Sequence, residues 1–387
     1  MKDIVILGCT GSIGDSTFKV LEALPDDFRV LGLSGGAQVE KLVQRAREWN
    51  PQYVCIADAR EVDALRRELP GVRIVAGMAG LVELATLAGA EIVVNGLVGA
   101  VGLEPTLRAL EAGRVVGLAN KEPLVMAGGL LLDQARISGG EILPLDSEPN
   151  ALWQCLEGEE RGAIARLILT ASGGPFYGQT RAQMGAITPV MALNHPTWKM
   201  GPKITIDSST LMNKGFEVIE ASWLFDVDIE EIDVVIHRQS IVHSMVEFVD
   251  GSILAHLGKT DMVLPIQYAL THPRRRTTPL EKLDLVEAGT LSFAAPDVDN
   301  FPCLDLCYRA GRQGGAAPAA LNAANEVAVH AFLEGEIGFL DIGEVNEQAL
   351  EDLEHIEMNS LDAVLEVDRR TRRRARERIA ARVAATV

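Results

Sequence analysis

Short apolar runs alternate with stretches of helical periodicity through the first third of the chain. The runs at 4–7, 29–33, 53–56, 73–75, 91–94, 115–118 and 141–145 have strand length and strand composition. Strands separated by helices predict an α/β fold with a doubly wound, Rossmann-like parallel sheet. Beyond residue 146 the rhythm changes. Short strands at 166–170, 203–206 and 233–236, and a hairpin of 244–248 with 252–257 turned at Asp250-Gly251, predict an antiparallel sheet in a central α+β domain. The stretch 172–202 interrupts those strands. It opens with Ser172-Gly173-Gly174-Pro175-Phe176 and closes with His195-Pro196-Thr197-Trp198-Lys199-Met200-Gly201-Pro202, so it reads as a glycine-hinged lid over a pocket. Arg274, Arg275 and Arg276 sit among turn residues in a linker-like segment, and from Cys303 onward alanine-rich amphipathic stretches predict helices.

Composition narrows the class. A chain of 387 residues is too long for one ordinary core, so two or three domains are expected. The net charge of -18 argues against nucleic acid as the main partner, because phosphate backbones need a basic surface. The basic run Arg369, Arg370, Arg372, Arg373, Arg374 and Arg376 lies in a helical stretch with acidic neighbours and no interleaved aromatics, which marks a solvated face. The five cysteines, Cys9, Cys55, Cys155, Cys303 and Cys307, are odd in number and lack zinc-type spacing, as expected of reduced thiols in a cytoplasmic protein. No apolar run reaches membrane-spanning length, so no membrane partner is expected.

Candidate chemistry falls in three places. The first strand leads into Gly8-Cys9-Thr10-Gly11-Ser12-Ile13-Gly14 and then a helical pattern, a layout that offers backbone N–H groups and a helix N-terminus to a pyrophosphate. The loop after the second strand, Gly35-Gly36-Ala37-Gln38, contains no acid to select NAD, so NADPH is the expected nucleotide; the nearest bases are Lys41 and Arg45. Asn95 to Gly99 and Asn120-Lys121-Glu122 follow later strands, at the sheet edge where ligands bind, and Lys121 is a candidate substrate anchor. The segment from Asp207 to Glu217 is dense in hydroxyls, amide, cation and carboxylate. With Thr210 as a helix cap, Asn213, Lys214 and Glu217 share one face, as expected for a phosphorylated, metal-bound ligand; a solvated polar face is the plainer reading. Asp146-Ser147-Glu148 follows the apolar run at 141–145, and strand alternation sends both acids to one side. Three carboxylates from two remote segments, with few neighbouring soft ligands, suit Mg²⁺ or Mn²⁺ better than zinc. His195 is a candidate phosphate donor, proton shuttle or structural donor, and Trp198 either a lid residue or a core anchor.

Ordered motifs then point to a family. The turn Gly8 to Gly14, NGLVGAVGLEPT from Asn95, Asn120-Lys121-Glu122, Asp146-Ser147-Glu148, SGGPF from Ser172, HPTWKMGPKI from His195, DSSTLMNKGFEVIEA from Asp207, HRQSIVHSMVEF from His237 and NAANEVAVHAFL from Asn322 resemble the 1-deoxy-D-xylulose 5-phosphate reductoisomerase family, across essentially the whole chain. The resemblance implies an NADPH-binding domain at 1–146, a catalytic and dimerisation domain at 147–273 with the lid at 172–202, a linker at 274–300 and a helical domain at 301–387, in a homodimer. It implies that Asp146, Glu148 and Glu217 hold one divalent cation. It makes Ser172, Ser208, Asn213 and Lys214 substrate ligands mainly at the phosphate end, with His195 beside them. Ser147 and Lys121 fall near the substrate backbone, and Trp198 and Met200 close as lid residues. Thr10, Gly11, Ser12, Ile13, Asn120, Glu122 and Gly201 would contact the nucleotide, together with the loop Gly36, Ala37 and Gln38. In that loop the family commonly has Lys then Asn where this chain has Ala37 and Gln38, which bears on the grip on the 2′-phosphate. The implied reaction rearranges a five-carbon ketose phosphate to a branched aldehyde and reduces it with NADPH to 2-C-methyl-D-erythritol 4-phosphate. Lys121, Glu148, Asp146 and Glu217 are the implied catalytic set, with Lys121 and Glu148 as proton-transfer candidates. A reductase of another phosphorylated sugar, or a nucleotide sensor without catalysis, are the competing readings.

Overall fold

Strands buried on both faces form the first unit. The computed structural model describes residues 1–198, 200–353 and 356–386. Its first compact unit comprises 1–123, 131–150 and 261–281. Strands β1 (Lys2–Leu7), β2 (Phe28–Gly35), β3 (Tyr53–Ile56), β4 (Arg73–Ala76), β5 (Ile92–Asn95), β6 (Val115–Leu118) and β7 (Glu141–Pro144) make one sheet in the order β4-β3-β2-β1-β5-β6-β7. Every neighbouring pair is parallel, as the alternation of strands and helices predicts. Crossover helices cover both faces, which is why Ile4 to Leu7 form an unbroken apolar run with no exposed surface. The strand order reverses at β1 and β5, and the crevice beyond their carboxyl ends is where such sheets bind ligands.

The glycine turn after β1 is dictated by close approach. Gly8 has φ +80°, and a side chain there would meet the Gly96 carbonyl at 2.6 Å. A Cβ on Gly14 would fall 2.3 Å from the Cys9 carbonyl oxygen, so glycine lets the helix Ser12–Ala23 press onto the turn. The helix Val263–Thr271 packs against Ser12–Ala23, and Lys2 Nζ donates to the Leu270 carbonyl at 3.1 Å, which places 261–281 in this unit.

The second unit comprises 124–130, 151–260 and 282–387. Its sheet contains β8 (Ile164–Ala171), β9 (Ile232–Ile236), β10 (Val242–Phe248) and β11 (Ile253–Leu257) in the order β11-β10-β8-β9. β10 runs antiparallel to β8 and β11, but β8 and β9 are parallel, so the sheet is mixed rather than antiparallel as expected. A parallel pair needs a crossover, and the long helical connection from β8 to β9 supplies one.

The expected strand at 203–206 is a further correction. Ile204-Thr205-Ile206 has strand composition, yet it lies in the helix Pro202–Ser209. Pro202 is preset for the first helical turn, and an i,i+4 pair of Lys203 with Asp207 at 2.7 Å spans the helix, with Thr205 and Ile206 buried. Within the segment 274–300, read as a linker, Ala294 pairs with Ile236 beyond the end of β9. The helix Ala317–Leu333 is buried almost all round, and its alanines allow close packing of Phe339–Glu351 and Leu361–Thr386. Three arginines of the basic run on the last helix are matched locally: Arg372 pairs with Asp368 and Glu326, each at 2.7 Å, and Arg369 and Arg370 pair with Glu366.

The glycine turn supplies a paired test. Gly14→Ala should destabilise the protein by roughly 1–3 kcal/mol through the backbone clash. Gly36→Ala, with nothing within 4 Å of its Cβ, should change stability by less than about 0.5 kcal/mol. Urea midpoints compare the two, and equal losses would refute the close-approach argument.

Candidate active site

Two buried carboxylates anchor the candidate chemistry. β7 ends at Pro144 and the helix Ser147–Leu156 begins three residues later, so Asp146 stands at a strand-to-helix turn. Strand alternation, expected to align Asp146 with Glu148, stops before either residue, and the first helical turn carries Glu148 instead. Asp146 Oδ1 accepts from the Ser147 N–H at 3.0 Å, and Lys121 Nζ lies 2.8 Å from Asp146 Oδ2 with both side chains nearly inaccessible. Glu148 Oε2 accepts a hydrogen bond of 2.5 Å from Ser147 Oγ. Lys121 itself is the residue preceding the helix Glu122–Ser138, whose first residues include buried Glu122.

Glu217 sits on the helix Met212–Phe225 with no solvent exposure. Asn213 Nδ2 donates to Glu217 Oε1 at 2.6 Å, and buried Lys214 pairs with Glu217 Oε2. The spacing of three and four therefore brings Asn213, Lys214 and Glu217 together, as the sequence pattern predicts. Thr210, however, does not cap this helix. It ends the preceding helix, and Leu211 at φ 62° holds the N-cap position, so the segment 207–217 is two helices with a left-handed break. Asp146, Glu148 and Glu217 each bring a carboxylate oxygen within 4.8 Å of the other two. A set of three hard oxygen donors, without His or Cys, fits a divalent cation of the Mg²⁺ type.

A second constellation is built from hydroxyls and an imidazole. His195 Nε2 lies 3.0 Å from Ser172 Oγ and 3.0 Å from Ser208 Oγ. His195 Nδ1 accepts the backbone N–H groups of Trp198 at 2.9 Å and Thr197 at 3.3 Å. Those two donors fix the tautomer: Nδ1 is the acceptor, so Nε2 carries the proton and faces the serines. Burial, and then the positive charge of Arg238, push the imidazole from its ordinary 6.5 down to about 4. His195 is therefore a neutral donor, which leaves it poorly suited to shuttle protons near neutrality. Ser172 begins a turn in which Gly173 and Gly174 both have positive φ, and the Gly174 N–H donates to Ser172 Oγ at 3.2 Å. Two hydroxyls and a ring N–H are donors of the kind a phosphate requires.

Within 172–202, Phe176, Met184, Ile187 and Ala192 are buried in the unit's core, and the short helices Arg181–Met184 and Pro189–Ala192 are capped by Thr180 and Thr188. The stretch 193–201 has no regular element among its described residues and holds His195, half-buried Trp198 and half-buried Met200. The Trp198 ring lies 6.4 Å from the His243 ring, and exposed Gly201 caps the helix Pro202–Ser209.

On the nucleotide side, Thr10 is buried while Gly11 and Ser12 are exposed, with Ile13 between these extremes. Gly11 is the N-cap of Ser12–Ala23 and no side chain caps that end, which leaves its N–H groups for an anion. Gly36, Ala37 and Gln38 are exposed after β2. Gln38 Nε2 and Lys41 Nζ both donate to the Thr10 carbonyl, at 3.3 and 2.9 Å, and Lys41 and Arg45 share Asp15 at 2.8 and 3.1 Å. The bases missing from the loop at Ala37 thus stand on the following helix, against the glycine turn and paired with Asp15. Buried Asn120 donates to the Gly99 carbonyl at 3.3 Å, and its Oδ1 meets no donor among the described residues. These features fit a dinucleotide.

Arg238 is a site neighbour that sequence reasoning passes over. Its signal is a lone cation in a turn directly after a strand, within the motif HRQSIVHSMVEF from His237, and in isolation that reads as structural.

Fold and side chains together define an α/β protein of the dinucleotide-binding class, with an acidic cation cluster and an anion cradle. Family models agree. The one described as 1-deoxy-D-xylulose 5-phosphate reductoisomerase matches residues 4–128, its C-terminal domain model matches 142–225, and the DXP reductoisomerase C-terminal domain model matches 257–374. The 1-deoxy-D-xylulose 5-phosphate reductoisomerase of Bacillus cereus (strain Q1) is 49% identical over 380 residues, covering 98% of this chain and all of that protein. The Zymomonas mobilis reductoisomerase, solved in complex with NADPH, superposes with TM-score 0.91 at 42% identity, covering 98% of this chain and 99% of that one. A DOX-P reductoisomerase solved with NADPH, fosmidomycin and magnesium superposes with TM-score 0.94 at 41% identity, covering 98% of both chains. The chain belongs to the 1-deoxy-D-xylulose 5-phosphate reductoisomerase family.

The state of His195 carries a pH signature. Its imidazole should show no titration between pH 5.5 and 8 and should gain a proton near pH 4, followed by nuclear magnetic resonance of the ring nitrogens. Because its folded value lies below its unfolded value, its stabilising contribution is complete above pH 6.5 and declines as pH falls toward 4. A midpoint at 6.5 in the folded protein would contradict the assigned tautomer and environment.

Proposed function

We propose that this protein catalyses the NADPH-dependent, divalent-metal-dependent rearrangement and reduction of 1-deoxy-D-xylulose 5-phosphate to 2-C-methyl-D-erythritol 4-phosphate, a step of isoprenoid precursor synthesis. The observation that carries this reading is the coexistence, in one family member, of the three-acid cluster and the neutral-donor anion cradle. Asp146, Glu148 and Glu217 hold the cation. When bound, the cation supplies charge stabilisation at the substrate's oxygens and the nicotinamide supplies a hydride.

The chain's own residues do the positioning. Ser172, Ser208, Asn213, Lys214 and the Nε2–H of His195 take the phosphate, while Ser147 and Lys121 orient the carbon backbone. Lys121, whose ammonium already bonds Asp146, and Glu148 are the groups placed to hold or move a proton at the substrate oxygens. The Lys214–Glu217 pair ties the phosphate end to the metal end, so recognition far from the reacting carbons fixes the geometry at them. The segment 193–201, with Trp198 and Met200, acts as the closing part of the lid and excludes water. Thr10, Gly11, Ser12, Ile13, Asn120, Glu122, Gly201 and the loop Gly36 to Gln38 receive the nucleotide. The protein works as a homodimer joined through the catalytic segment, supported by the exposed apolar residues Val249, Ile253 and Leu254 in and beside the edge strand β11. It acts in the cytoplasm; no helix among the described residues is long and apolar enough to cross a membrane.

The deciding experiment follows NADPH absorbance with the ketose phosphate and Mg²⁺, and absence of oxidation would sink the proposal. Glu217→Gln should lower turnover by roughly a hundredfold or more and weaken metal binding, because several kcal/mol of charge stabilisation is lost. Near-normal, chelator-resistant activity would refute that role. Lys214→Ala should raise the substrate KM by about tenfold or more and the NADPH KM by less than about twofold. Equal changes in both would contradict a phosphate role.

A further inference from the structure

We propose that Arg238 is the positioning residue of the anion cradle: it pins the turn that presents Ser172, and it supplies the cradle's uncancelled positive charge. This inference rests on the reading that Ser172, His195 and Ser208 receive the substrate phosphate. Arg238 arrives at that place through the sheet. The His237 N–H donates to the Ala171 carbonyl at 2.7 Å, extending the pairing of β8 with β9 and setting the next residue beside Ser172.

The contacts are specific. Arg238 donates through one guanidinium nitrogen to both the Ser172 and the Gly174 carbonyls, each at 2.6 Å, while its Cζ lies 5.1 Å from the Tyr177 ring centre. The two carbonyls bracket the left-handed pair Gly173 and Gly174, so one cation holds both ends of the turn. The turn itself has no slack toward its neighbour: a Cβ on Gly174 would fall 2.9 Å from the Ser208 carbonyl oxygen. Holding the turn therefore holds Ser172 Oγ against the His195 ring and Ser208.

The balance of charge singles out the same residue. Lys203 is paired with Asp207 and Lys214 with Glu217, so each lysine's charge is met by a carboxylate. His195 is neutral, and the serines are neutral donors. Arg238 instead donates to neutral carbonyls, which leaves its full charge in place, and a guanidinium does not deprotonate in proteins. That charge already reaches the cradle, since it contributes to holding His195 in its neutral form. A dianion entering a set of neutral donors and one lysine already matched by Glu217 needs such a standing charge to exceed the cost of its own desolvation.

The test uses the full chain with Arg238→Gln and Arg238→Lys, each checked by thermal melting. Arg238→Gln should raise the substrate KM by about tenfold or more, weaken competitive inhibition by inorganic phosphate in parallel, and change the NADPH KM by less than about twofold. Its effect on kcat should be smaller than its effect on KM. In Arg238→Gln the His195 midpoint should rise from about 4, whereas in Arg238→Lys, which keeps the charge, it should stay low. Unchanged substrate KM and phosphate inhibition in a folded Arg238→Gln protein would overturn the proposal, as would an equal rise in both KM values. If Arg238→Gln does not fold, Arg238→Met decides, since it keeps the apolar stem and removes the charge: a substrate KM raised by about tenfold or more with the NADPH KM little changed supports the role, and an unchanged substrate KM overturns it. Should the wild-type protein fail to turn over the ketose phosphate, the activity reading fails separately, and inorganic phosphate perturbing His195 in wild type but not in Arg238→Gln still supports the cradle.

Discussion

A charge taken out of water must be met by an opposite charge or by several hydrogen bonds, and this constraint organises the molecule's chemistry. Each of the two deepest site carboxylates is supplied with its own lysine: Asp146 with Lys121 at 2.8 Å, and Glu217 with Lys214. Both pairs are almost fully inaccessible to solvent. Removing one partner of such a pair typically costs about 3–5 kcal/mol, because the remaining charge stays buried. The same side chains that would bind substrate and cation thus also let the fold tolerate acids in its interior. A third acid, Glu148, is held through Ser147 at the start of a helix.

Support for the anion cradle reaches into the C-terminal helices. Asp207, next to Ser208, is buried and accepts from Asn325 Nδ2 at 2.8 Å, and Asn346 Nδ2 donates to Asn325 Oδ1 at 3.1 Å. Lys203 closes the other side of Asp207. Through this chain of buried polar contacts, Asn325 of the NAANEVAVHAFL stretch and Asn346 fix the helix that carries Ser208. Buried polar networks of this kind specify one arrangement, since any alternative leaves an amide or carboxylate without a partner. The helices are therefore part of how the site keeps its shape, although none of their residues is a candidate ligand.

The dinucleotide unit shows how backbone geometry can replace side-chain chemistry. Gly8 and Gly14 are required where backbone meets backbone, whereas Gly11 simply leaves the helix end uncapped. The departure at Ala37 and Gln38 has a spatial counterpart in Lys41 and Arg45, which the following helix turns back onto Thr10 and Asp15. Which bases stand near a binding turn is set by three-dimensional proximity, so a loop can lose its base while the following helix brings others, here paired with Asp15 and Glu48, to the same place.

Sequence alone established the parallel sheet, because seven short apolar runs separated by helices admit few other packings. It also marked the glycine turn and brought Asn213, Lys214 and Glu217 together, since helical spacing is a local property. Tertiary structure decided what local patterns could not. Ile204-Thr205-Ile206 became helix because Pro202 and the Lys203–Asp207 pair outweighed strand propensity, and β8 met β9 in parallel because the crossover between them dictates direction. Thr210 lost its capping role to a left-handed Leu211, a backbone choice imposed by packing. Asp146 and Glu148 align through a strand-to-helix turn instead of a pleat. Arg238 stayed hidden because its meaning lies in two carbonyls more than sixty residues away along the chain, and spacing along a sequence records only neighbours.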